Sequence, residues 1–79
     1  MHIAILFFGA TADIAGTQHS EIAVSSETTA QTIFNQLLAE HPRLSAHRLL
    51  FSVNQQYATG DEIVRDGDEL AIFTAVSGG

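Results

Sequence analysis

Cysteine is absent from the 79 residues. That excludes disulfides, thiolate metal sites, iron–sulfur clusters and a catalytic thiol, and it points to a reducing, cytoplasmic compartment. Lysine is absent too, so the N-terminus is the one primary amine. A chain without an acceptor lysine is poorly suited to polymerise through isopeptide bonds. Positive charge is scarce: Arg43, Arg48 and Arg65 stand against nine acids, for a net charge of −6. Such a chain does not bind nucleic acid by neutralising phosphates, although it suits a basic protein partner. The longest apolar run, Ile3 to Ala12, is far too short to span a membrane. The opening Met1-His2-Ile3-Ala4-Ile5 lacks the basic start and small-residue cleavage site of a signal peptide.

The chemistry-bearing patterns are equally thin. No glycine pattern matches a phosphate loop, and Asp66-Gly67-Asp68 is too short for a calcium loop. His2, His19, His41 and His47 share no i, i+4 spacing and read as surface residues rather than metal ligands. No histidine is placed by the sequence to activate a serine. A chain this short also leaves no pocket of the usual enzyme size. The expectation is one domain with no bound metal or cofactor.

What is present is a generous apolar share, 46%, with five Phe, in a clear order. His2 to Phe8 alternates as a strand, with Ile3, Ile5 and Phe7 on one face and Ala4, Leu6 and Phe8 on the other. Both faces are apolar, which suits a central strand. Gly9 ends it, and Ala10 to Gly16 is a connector with room for a helical turn. His19 to Ser25 alternates again, with Ile22 and Val24 on one face. Thr28 is the expected helix N-cap, with Gln31 at capping-box spacing. Ala30, Ile33, Phe34, Leu37 and Leu38 make one helical stripe, and Pro42 stops the helix near His41. Leu44 to His47 allows one further turn. Leu49 to Val53 is a third strand, Asn54-Gln55-Gln56 a polar turn, and Tyr57-Ala58 a very short strand. Gly60-Asp61 and Asp66-Gly67-Asp68 are turns. Glu69 to Thr74 is the last strand, with Leu70 and Ile72 facing one way and Ala71 and Phe73 the other.

The order β-β-α-β-β predicts an α+β fold of the ubiquitin-like β-grasp kind. A mixed sheet packs on one main helix, and the first and last strands lie parallel at its centre. Residues 1–73 form the domain, and residues 74–79 form a flexible tail ending in Gly78-Gly79. On the sheet face away from the helix, Leu6, Phe8, Ala71 and Phe73 make an exposed apolar patch of the kind that marks interfaces. Asp61, Glu62, Asp66, Asp68 and Glu69 crowd into solvated turns, where contact with a basic partner is the functional alternative. The tail spans at most about 20 Å when extended. Two terminal glycines suit a channel too narrow for a Cβ, with the Gly79 carboxylate as the reactive group.

Leu6-Phe7-Phe8, Val53-Asn54-Gln55, Asp66-Gly67-Asp68-Glu69 running into Ala71-Ile72-Phe73, and Val76-Ser77-Gly78-Gly79 together resemble the small subunits of molybdopterin synthase. The resemblance covers the whole chain in order. It departs at Thr74-Ala75, where many members carry prolines, and Ala75 to Gly79 also resembles the thiamine-pathway sulfur carriers. The resemblance implies a non-catalytic sulfur-donor subunit. An E1-like adenylating enzyme would consume ATP to activate Gly79, and a sulfur donor would leave a C-terminal thiocarboxylate. The large synthase subunit, in a heterotetramer, would then use that sulfur to build the dithiolene of molybdopterin. Gly78 would give narrow passage, and Leu6, Phe8, Phe73, Val76 and Ser77 would meet the partner. A carrier for thiamine thiazole and a ubiquitin-like protein modifier are the alternatives.

Overall fold

The computed structural model describes residues 1–75. Strand β1 (His2–Phe7) is an interior strand of a five-stranded sheet, apolar on both faces and paired on both edges. On one side it meets β2 (His19–Ala23) antiparallel, with Ile3 opposite Ile22. On the other it runs parallel to β7 (Glu69–Thr74), with Ile5 beside Leu70 and Phe7 beside Ile72. Strand β4 (Leu49–Val53) pairs antiparallel with β7, and β5 (Gln56–Tyr57) closes the far edge, giving the order β2-β1-β7-β4-β5. This is the ubiquitin-like β-grasp read from the element order.

Helix α2 (Ala30–Glu40) lays the predicted stripe on one face of that sheet. Ala30, Ile33 and Leu37 are buried against Ile3, Ile5, Phe7, Ile22, Leu70 and Ile72. Val24, Phe34 and Leu38 pack at the margin of this core, and Phe34 stacks on Phe51 with ring centroids 4.4 Å apart. Each large side chain so buried contributes about 1.5–3 kcal/mol, which a small domain needs. Leu44, from the 3-10 turn Pro42–Ala46, and Val64, from strand β6 (Ile63–Val64), complete the core. Neither stood out in the sequence: Leu44 is a lone leucine in a short stretch, and Val64 belongs to an apolar pair too short to show a period.

Several boundaries differ from expectation. The helix N-cap is Thr29, not Thr28: its Oγ1 accepts from the Thr32 N–H at 3.3 Å. Strand β3 (Thr28–Thr29) pairs with β6 (Ile63–Val64) in a separate two-stranded sheet, which holds the backbone extended one residue longer. Gln31 therefore closes no capping box. Its N–H donates to the Gly60 carbonyl at 3.0 Å and its amide to Asn35 Oδ1 at 2.9 Å. Gly60, at φ 109, accepts that close approach only because it has no side chain; a Cβ there would lie 2.9 Å from Gln31 Oε1. Strand β2 stops at Ala23 rather than Ser25, and the short strand is Gln56–Tyr57 rather than Tyr57–Ala58. The second shift has a clear cause. Asn54 and Gln55 both adopt positive φ, 50° and 72°, and make a two-residue turn that sets Gln56 opposite Val53. Asn suits that turn, while Gln at its second position gives no such signal.

The connector after β1 is a helix, α1 (Ala10–Ala15), ended by Gly16 in the left-handed conformation. Thr11, wholly buried, joins α1 to the sheet. Its Oγ1 lies 2.7 Å from the Phe8 carbonyl and 2.9 Å from the Ile72 carbonyl, so one hydroxyl proton serves both. Each carbonyl also has a backbone donor, from Thr11 and Phe8 respectively. Thr11→Val keeps the volume and removes only the hydroxyl bond. The expected cost is about 1 kcal/mol, read as a lower urea midpoint with an unchanged slope. At the other end of β7, Thr74 is paired with Leu49, and the Ala75 N–H donates to the Arg48 carbonyl at 2.9 Å.

Candidate functional site

The period-2 alternation that buries Ile3, Ile5, Leu70 and Ile72 turns the intervening residues to the opposite face. The register then assembles them. Leu6, Ala71, Ser52 and Tyr57 fall in one row across β1, β7, β4 and β5, and Phe73 lies opposite Leu50 in the next. Phe8 follows directly after β1. Gly9 supplies the turn beyond it, at φ 58 and ψ −131, a conformation open to glycine. The Phe8 backbone is fixed on both sides: its N–H donates to Ile72 at 3.0 Å and its carbonyl accepts from Thr11. The ring is thereby held outward, 51% exposed.

Leu6, Phe8, Ser52, Tyr57, Ala71 and Phe73 surround an open groove of about 440 Å³, with Gln55 and Glu69 at its rim. Tyr57, 76% exposed, stands over it with its ring 5.9 Å from that of Phe73. The predicted patch residues Leu6, Phe8, Ala71 and Phe73 are thus brought together, and no loop of the described residues closes over them. Val76, Ser77, Gly78 and Gly79, also predicted for the site, lie outside the described residues. Sequence reading missed Leu50, Ser52 and Tyr57. For the first two the signal was available, since Leu49, Phe51 and Val53 facing inward require their neighbours to face outward. Tyr57 depended on recognising the tight turn.

The acidic residues near β7 hold turns. Glu62 accepts from the backbone N–H groups of Thr59 at 2.7 Å and Gly60 at 2.8 Å. Asp68 accepts from the Arg65 N–H at 2.8 Å and from the Asn54 amide at 3.1 Å. Asp66 accepts from the His2 N–H at 2.7 Å. Glu62 is held below its ordinary pKa first by the Thr59 N–H, then by its own and that of Gly60. Asp68 is lowered first by the Arg65 N–H, then by Asn54 and the Arg65 charge. A carboxylate with a lowered folded pKa stabilises the fold above its unfolded pKa, and that contribution is lost as pH falls through the folded value. The melting temperature is therefore expected to fall as pH drops below the ordinary values of 4.5 for Glu62 and 3.8 for Asp68. Glu62→Gln and Asp68→Asn should each flatten that decline in a calorimetric pH series.

His2 lies 2.8 Å from Glu21 on the exposed sheet, and the His41 ring meets that of Phe7 edge-on at 5.6 Å. Among the described residues no cluster of three metal-ligating side chains occurs, and no helix is long and apolar enough to cross a membrane. The site can bind an apolar protein surface beside the strand that leads to the tail. Its lining is mostly apolar, with Ser52, Gln55, Tyr57 and Glu69 as the polar members.

Residues 5–79 match the model of the ThiS family. A molybdopterin synthase sulfur carrier subunit of Mycobacterium tuberculosis is 34% identical over 80 residues, spanning 98% of this chain and 96% of the relative. Among solved structures, SAMP1 of Haloferax volcanii, a small archaeal modifier protein, superposes with a TM-score of 0.86 at 27% identity over 100% of both chains. A chain from the complex of subunits 1 and 2 of the molybdopterin-converting factor of Helicobacter pylori superposes with a TM-score of 0.70. It also covers 100% of both chains, and at 18% identity it shares the fold.

Proposed function

The chain belongs to the ThiS family, and from that membership we propose that it is the sulfur-carrier subunit of a molybdopterin synthase. One observation carries the reading: the open apolar groove lies on β7, the strand that runs into the Gly78-Gly79 tail. A partner gripping the groove holds the tail nearby, within the roughly 20 Å that six extended residues span.

The chemistry follows from what a carboxylate lacks. It is inert to substitution until one oxygen becomes a good leaving group. An E1-like enzyme supplies that by transferring AMP from ATP to the Gly79 carboxylate, with release of pyrophosphate. A sulfur donor then displaces AMP and leaves the thiocarboxylate. The large synthase subunit takes the tail into its active site, where the sulfur attacks the pterin precursor, and hydrolysis returns Gly79 to a carboxylate. Catalytic side chains belong to the large subunit. Leu6, Phe8 and Phe73 bind the partner, with Val76 and Ser77 along the exit, and Gly78 passes the constriction.

The test is an intact mass after incubation with the activating enzyme, ATP and a sulfur donor. One oxygen exchanged for sulfur at Gly79 is the expected result; an unchanged mass with an active enzyme would sink the reading. A thiazole-pathway carrier shares this loading step and differs in the synthase it binds. A ubiquitin-like modifier is favoured by the SAMP1 likeness at 27% identity, and it predicts adducts on target lysines in lysate.

A further inference from the structure

The outer sheet face changes character along β7. At the β7 start, Glu69 sits beside Ala4, and Ala4 sits beside Glu21, so two carboxylates flank one small residue on the same face. The next row is apolar through Leu6 and Ala71, and the row after it holds Phe73 and Leu50. The tail leaves from that apolar end. Glu21 already has a partner in His2 at 2.8 Å. Glu69 lines the groove, and among the described residues no donor bonds its carboxylate. The Asn54 amide donates to Asp68 at 3.1 Å, and Arg65 donates to Glu27 at 2.8 Å.

We propose that the protein docking in this groove presents an arginine or lysine to Glu69, and that this pair sets the direction in which the tail enters the partner. The inference rests on the carrier reading. A purely apolar groove can receive an apolar surface in opposite senses. A charge at one end makes those senses inequivalent, because the wrong one leaves a carboxylate facing apolar surface. Glu69 and Thr74 are five strand steps apart, so the partner's cation sits about 17 Å from the point where the tail begins. A second copy of this chain is a poor occupant. It carries the same net charge of −6 and would bring carboxylates toward Glu69.

The experiment is a binding titration against the purified large subunit of molybdopterin synthase at low and high salt, with sulfur transfer followed in parallel. Wild-type affinity should fall as salt rises. Glu69→Gln should bind about tenfold more weakly at low salt and show a flatter salt dependence, and Glu69→Lys should lose about a hundredfold. The melting temperature of both variants should match wild type. Equal affinity of Glu69→Gln and wild type at both salt concentrations, with sulfur transfer intact, overturns the proposal and leaves the carrier reading standing. A wild-type chain that takes up no sulfur and forms no complex overturns both.

Discussion

Deleting Gly79 is expected to abolish sulfur transfer while the protein folds and melts as before. The deletion is chemically conservative. Gly78 becomes the terminal residue, still a glycine with a free carboxylate, so the group to be adenylated is unchanged. What changes is reach. One residue of extended chain is about 3.5 Å, and a misplacement of about 1 Å in a reacting group already costs on the order of a hundredfold in rate. Transfer should therefore fall by more than a hundredfold. Stability should hold, since every core residue among those described lies at or before Ile72. Mass spectrometry after the loading reaction, beside a thermal melt, checks both halves. A truncated chain that loads and transfers normally would show that Gly79 is dispensable and that the sulfur can be presented from Gly78.

The fold was legible wherever apolar periodicity was strong. Ile3-Ile5-Phe7, Ile33-Leu37 and Leu70-Ile72 each repeat often enough to define a buried face, and all are in the core. Parallel pairing of β1 with β7 followed from two strands apolar on both faces, which need central places. Two-residue strands were not legible. Thr28–Thr29 and Ile63–Val64 are too short to show a period, and their pairing exists only because the chain brings them together. That pairing moved the helix cap from Thr28 to Thr29, since the capping preference of two adjacent threonines is equal and tertiary pairing decides between them. Thr11 was illegible for another reason. Its role depends on the Ile72 carbonyl, 61 residues away, which no local pattern reports. The candidate site was half visible. Strand alternation places Leu6, Phe8, Ala71 and Phe73 on one face, but the width of the groove came from the turn at Asn54-Gln55, whose second residue carries no turn signature.

Phe73→Asp is expected to destroy binding to the large subunit with little loss of stability. Phe73 follows Ile72 in β7, and the two neighbours have opposite duties. Ile72 is wholly buried under the helix, while Phe73 is half-buried on the groove side and meets Tyr57. Its replacement loses that ring contact and some strand preference, about 1 kcal/mol in the isolated chain. In the complex the loss is far larger. In the proposed complex the ring is the central apolar anchor, and an aspartate there would be buried without a partner. Central aromatic anchors cost roughly 2–4 kcal/mol on removal, which is about thirtyfold to a thousandfold in affinity. Phe8→Asp, at a more exposed ring, should weaken binding with a smaller effect on the melt. A titration of each variant against the large subunit, with urea unfolding of the free chain, separates the terms. Unfolding of Phe73→Asp alone would leave Phe8→Asp as the clean probe, and wild-type affinity in both would move the docking surface off this face of the sheet.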